Sequence, residues 1–126
     1  MKADEQRDRF LVSEMLHHAE ILDVIARKGK EALGSDPLVR YAAEHATELF
    51  AEAAEKVSNA FKGLNPRVPW DRLRPLRRTV AHPYDLPVEM VNINELWAFV
   101  NSEAPRISRF LRNAKFPRYE EASPRG

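Results

Sequence analysis

The 126-residue sequence contains no cysteine, which excludes disulfide scaffolds, thiolate metal ligands and thiol nucleophiles together. Glycine is scarce, with four residues, and the period-two alternation of a half-buried strand is nearly missing. No run of 18 apolar residues occurs, and the start Met1-Lys2-Ala3-Asp4-Glu5-Gln6-Arg7 is too polar for a secretory leader. Low-complexity segments and internal repeats are missing as well, while 44% hydrophobic residues is too many for a disordered chain. The expectation is one soluble, cytoplasmic domain over residues 1–112, without membrane association, followed by a polar, mobile tail over 113–126.

Charge is present in both signs but unevenly distributed. Residues 1–57 carry 8 Lys/Arg against 12 Asp/Glu, whereas residues 58–126 carry 12 against 7. Between Arg67 and Arg78 stand five arginines and one acid, Asp71. A short basic stretch of this kind suits phosphate groups, although a solvated helix face is the plainer explanation.

The apolar pattern is helical. Leu11, Met15, His18, Leu22 and Ile25 step by three and four residues, predicting a helix from about Asp4 to Lys28 that ends at Gly29. Phe10, Ile21 and Val24 widen its stripe, so it should meet neighbours on more than one side. A connection over 30–35 leads to Asp36-Pro37, a capping side chain followed by proline at the first helical position. The second helix should run to about Phe61 on Val39, Ala42, Ala46, Leu49, Phe50, Ala53, Val57 and Phe61. Trp70 and Leu73 suggest a short turn, Pro75 the start of a helix reaching about His82, and Asn92 or Asn94 the start of a last helix that Pro105 kinks or splits. The fold class is therefore all-α, an antiparallel bundle of four to five helices.

Among the four histidines, adjacent His17 and His18 point about 100° apart and cannot easily share a metal. No spacing of histidines and carboxylates matches a helical metal site, so neither a metal nor another cofactor is expected. His82 differs, because it closes the string Arg77-Arg78-Thr79-Val80-Ala81-His82-Pro83-Tyr84-Asp85, where proline must stop a helix. An imidazole there titrates near neutrality and can move the proton of a ribose 2′-hydroxyl or of a leaving oxygen. A neighbouring guanidinium can stabilise charge gathering on a phosphoryl group. The plainer alternative is that Arg and His cap the helix while Tyr84 packs.

At this string the sequence resembles the HEPN domain, specifically the small HepT-like toxins that pair with minimal nucleotidyltransferase antitoxins. Arg77-x4-His82-x-Tyr84 corresponds to the family's Arg-x4–6-His-x-Tyr hallmark. Phe50-Ala51-Glu52-Ala53-Ala54-Glu55-Lys56-Val57-Ser58 is similar to its Gly-Glu-Ala-Ala-Lys-like helix end. Pro66-Arg67-Val68-Pro69-Trp70 is similar to its Pro-x-Ile-Pro-Trp turn, and Leu76-Arg77-Arg78 stands for Leu-Arg-Asn. Val91-Asn92, Leu96-Trp97 and Ala104-Pro105 fit its last helix. The likeness covers residues 7–111.

The resemblance implies an all-α homodimer whose two Arg/His motifs line a shared cleft. It also implies metal-independent cleavage of RNA, with Arg77 and His82 as catalytic pair and no cofactor. A partner nucleotidyltransferase would adenylylate Tyr84 and silence the enzyme; Arg78 and Arg74 are expected to hold phosphate. This chain departs from the pattern with Arg78 in place of asparagine, with Pro83 between His and Tyr, and with a longer segment from Tyr84 to Val91. Those departures keep two other functions in view: a catalytically silent helical dimer that binds and regulates a nucleotidyltransferase, and a nucleotide-binding module without chemistry.

Overall fold

A computed structural model describes residues 3–81 and 93–119, with the backbone alone over 77–81. The fold is all-α: seven helices and one π-helical turn, with no strand, make up the regular structure of the described residues. The helices are α1 (Ala3–Lys28), α2 (Lys30–Ser35), α3 (Pro37–Lys56), α4 (Asn59–Leu64), α5 (Trp70–Ala81), α6 (Ile93–Ala98) and α7 (Ala104–Arg112). Helix α3 packs between α1 and α5, and α1 also meets α7 and the π turn. No helix among the described residues is long and apolar enough to cross a membrane.

The expected stripe of α1 is the one that turns inward, with Leu11, Met15, His18, Leu22 and Ile25 all buried. Asp4 and Glu5 in its first turn, and Arg27 and Lys28 in its last, match the helix dipole. Phe10, Ile21 and Val24, by contrast, are 60%, 37% and 49% exposed, so the second side of α1 is left uncovered by the described residues. Gly29 ends α1 at φ 95°, a conformation that side-chain-bearing residues rarely adopt. The sharp turn lets residues 30–35 form α2 instead of the expected connection, held by fully buried Leu33.

Helix α3 begins as expected, with the Asp36 carboxylate accepting from the Leu38 N–H at 2.9 Å and Pro37 at the first position. It does not continue to Phe61. Val57 and Ser58 are extended, and Ser58 caps the new helix α4 by accepting from the Phe61 N–H. The break is fixed from outside the segment: the Ser58 N–H and hydroxyl donate to the two carboxylate oxygens of Asp8, at 2.8 and 2.6 Å. Burial on α3 also differs at Ala42, which is exposed, while Ala43, Thr47, Ala51 and Ala54 are buried. Contact with both α1 and α5 buries more than one stripe of α3.

Pro105 does divide the last helix. The segment Phe99–Glu103 is a π turn in which the Ala104 N–H donates to the Phe99 carbonyl, five residues back. The wider turn places Pro105 at the start of α7, where the N–H it lacks has no helical partner to lose. Phe99, Val100, Ala104 and Ile107 are fully buried around it. Residues 115–119, read from the sequence as part of the tail, contact the bundle. Phe116 packs on Phe61 with ring centroids 5.1 Å apart, and the Tyr119 hydroxyl donates to Asp8 at 2.8 Å.

Candidate active site on helix α5

Helix α5 carries the basic string identified in the sequence. It is one helix from Trp70 to Ala81, running through Pro75 instead of opening there. Proline inside a helix removes a backbone donor and costs about 3 kcal/mol. Anchoring at the N-terminal end offsets this: Leu73 is buried, and the Trp70 ring meets Phe61 edge-on at 5.9 Å. The Trp70 indole N–H donates to the Asn65 carbonyl at 3.0 Å.

This docking leaves Arg72 and Arg74 exposed on α5. Arg72 reaches Glu103 on the π turn at 3.4 Å, while Arg74 is exposed and has no ion-pair partner among the described residues. Arg77 and Arg78 lie on the backbone of the last four to five residues of α5. Position 78 is one helical turn beyond Arg74, so the structure brings Arg74, Arg77 and Arg78 onto one short helix. His82 and Tyr84, the other two members of the expected site, lie outside the described residues.

The remaining histidines gather elsewhere, between α1 and α3. The rings of His17 and His18 are 5.3 Å apart and tilted. Burial lowers the pKa of His18; Glu14 opposes this, and His17 and His45 add to it. Among the described residues no three His, Asp or Glu side chains form a metal-ligating group.

A polar group missed by the sequence reading is Asp8. It is fully buried and accepts from the Ser58 N–H, the Ser58 hydroxyl and the Tyr119 hydroxyl, joining α1, the α3–α4 break and the C-terminal segment. Burial first, and then the hydrogen bond and charge of Asp8, push the Tyr119 phenol far above its ordinary pKa. A signal was present: Asp8 precedes Leu11 by three residues, on the stripe that turns inward. An acid at that position calls for donors inside the fold.

The family model for ribonuclease HepT-like proteins matches residues 15–114, well over half of the chain. A Methanocaldococcus jannaschii protein named as an RNase is 29% identical over 75 residues, which cover 60% of this chain and 65% of the relative, just under two thirds of its length. A Thermococcus cleftensis protein named as a ribonuclease HepT is 28% identical over 93 residues, covering 71% of this chain and 81% of the relative. No solved structure matches significantly. The chain belongs to the ribonuclease HepT-like family.

Proposed function

We propose that this ribonuclease is a metal-independent endoribonuclease toxin, paired with a minimal nucleotidyltransferase antitoxin and active as a homodimer. The observation that carries the reading is the string Arg77-x4-His82-x-Tyr84, which begins on helix α5 and falls within the residues matched by the family model. The dimer is supported by Phe10, Ile21 and Val24, apolar side chains on one helix left exposed by the described residues.

In the proposed reaction the ribose 2′-oxygen attacks the adjacent phosphorus and the 5′-oxygen leaves, giving a 2′,3′-cyclic phosphate and a 5′-hydroxyl end. His82 moves the proton at the 2′-hydroxyl or at the leaving oxygen. Arg77 stabilises the charge on the phosphoryl oxygens, and Arg74 and Arg78 hold flanking phosphates. Control acts on Tyr84: its phenol oxygen attacks the α-phosphorus of ATP, pyrophosphate leaves and the phenolic proton is lost. The added phosphate brings negative charge to a site built for polyanions and repels RNA.

The test is incubation with the partner nucleotidyltransferase and ATP. Wild type should gain the mass of AMP and lose cleavage, whereas Tyr84→Phe should gain no mass and keep cleaving. Modification at another residue, or cleavage that survives modification of Tyr84, contradicts the proposed control. The departures at Arg78 and Pro83 favour a second reading, a silent dimer that regulates the nucleotidyltransferase. It predicts a stable complex and no cleavage by unmodified wild type.

A further inference from the structure

At the opposite end of α5 from the motif lies a groove of about 650 Å³ between the α4–α5 turn and the end of α7. Its lining includes three cations, Arg67, Arg109 and Lys115, together with Phe110, Asn65 and Asn113, and no carboxylate among the described residues. We propose that this groove binds the backbone of single-stranded RNA beyond the cleavage site. The inference rests on the ribonuclease reading above and adds a second contact surface for the same substrate.

Three observations carry it. The cations are available: Arg67, Arg109 and Lys115 are exposed, and none is in an ion pair among the described residues. By contrast, Arg9, Arg27, Lys56 and Arg72 are paired with Glu5, Asp23, Glu52 and Glu103.

The groove is also built. The Asn65 side-chain amide donates to the Phe61 carbonyl at 2.9 Å and to the Lys115 carbonyl at 2.8 Å, and its oxygen accepts from the Lys115 N–H at 2.9 Å. The Asn65 carbonyl accepts from the Val68 N–H and the Trp70 indole. One asparagine thus fixes the backbone of Lys115 and closes the turn that bears Arg67, so two of the three cations stand on pinned backbone. Arg109 stands on α7.

Chemistry and position complete the case. The Arg67 guanidinium lies 5.9 Å from the centre of the half-buried Phe110 ring, which puts an aromatic face among cations. Phosphate-binding cations around a stacking ring, with amides at the edge, suit single-stranded nucleic acid. Trp70 and Arg77 are seven residues apart on α5, about 10 Å at 1.5 Å per residue. That distance is about three nucleotides at the ~3.4 Å rise of a stacked strand.

The test uses the full chain with Arg67, Arg109 and Lys115 changed together to Gln, and a 2′-O-methyl oligoribonucleotide as uncleavable probe. Among the described residues none of the three side chains makes a hydrogen bond, so the melting temperature should stay close to that of wild type. Affinity at low salt should fall on the order of tenfold, and the slope of log K against log salt should flatten by about 2, or ~0.7 for each lost phosphate contact. A dinucleotide, too short to reach the groove, should be cleaved as by wild type, while KM for longer RNAs rises.

Unchanged affinity and slope overturn the groove and leave the ribonuclease reading standing. If such a variant instead loses the nucleotidyltransferase, the groove is a protein-docking face and the proposal also falls. Loss of slope in a protein that cleaves no RNA supports the groove and contradicts the catalytic reading.

Discussion

In the acidic first half of the chain, four of the seven described Lys and Arg side chains pair with a nearby acid. Arg9 and Glu5, Arg27 and Asp23, and Lys56 and Glu52 pair one helical turn apart, and Asp8 is buried against three donors. In the basic second half, Arg67, Arg74, Arg109 and Lys115 stand exposed without ion pairs among the described residues. Sequence arithmetic alone would class both halves as charged surface. The difference in pairing separates a half whose cations mostly pair within the fold from one whose exposed, unpaired cations are free for the polyanion proposed above.

The sharpest way to break this comparison is to remove one cation from the reactive end of the basic half. Arg77→Gln should reduce RNA cleavage by about 10²–10³ with an unchanged melting temperature. A loss of stability of the same rank would place Arg77 in the scaffold instead. Next in size is the reverse experiment. Asp8→Ala leaves the Ser58 N–H, the Ser58 hydroxyl and the Tyr119 hydroxyl without their acceptor and should cost about 3 kcal/mol in urea unfolding. Hydrogen exchange should rise at 57–58 and 113–119, while RNA binding per folded molecule stays constant.

A smaller effect is expected from His18. Its folded pKa is lowered, first by burial, so between about pH 7 and 5 the unfolded chain binds more protons than the folded one. Stability should fall as pH drops through that window, and His18→Gln should flatten the fall in thermal melts. An equal slope in wild type and variant would assign the window to other groups. The smallest effect is at Thr47, whose hydroxyl is buried without a hydrogen-bond partner among the described residues. Thr47→Val should raise stability by about 1 kcal/mol, since an unsatisfied polar atom is replaced by a methyl group. A loss in urea unfolding would show that the hydroxyl has a partner in solution.

Local signals made part of this fold legible. The α1 stripe, the Asp36-Pro37 cap and the interruption at Pro105 each depend on residues within a turn or two. Features set by distant residues were not legible. The break at Val57–Ser58 needs Asp8, fifty residues away, and α5 tolerates Pro75 because Trp70 and Leu73 are anchored by tertiary contacts. The exposure of Phe10, Ile21 and Val24 depends on where the other helices pack.

The site divides in the same way. Arg77, His82 and Tyr84 form a readable string because they are neighbours in sequence. Arg67, Arg109 and Lys115 carry no such spacing and come together only through packing and the Asn65–Lys115 bonds.

If His82 performs proton transfer in RNA cleavage without a metal, purified, unadenylylated wild type and His82→Ala will differ on an RNA substrate and its 2′-deoxy analogue in EDTA. Wild type should cleave RNA alone in the presence of EDTA, ending in 2′,3′-cyclic phosphate, and a folded His82→Ala variant should lose that cleavage. Equal cleavage by both proteins, or none by wild type, would contradict proton transfer by His82.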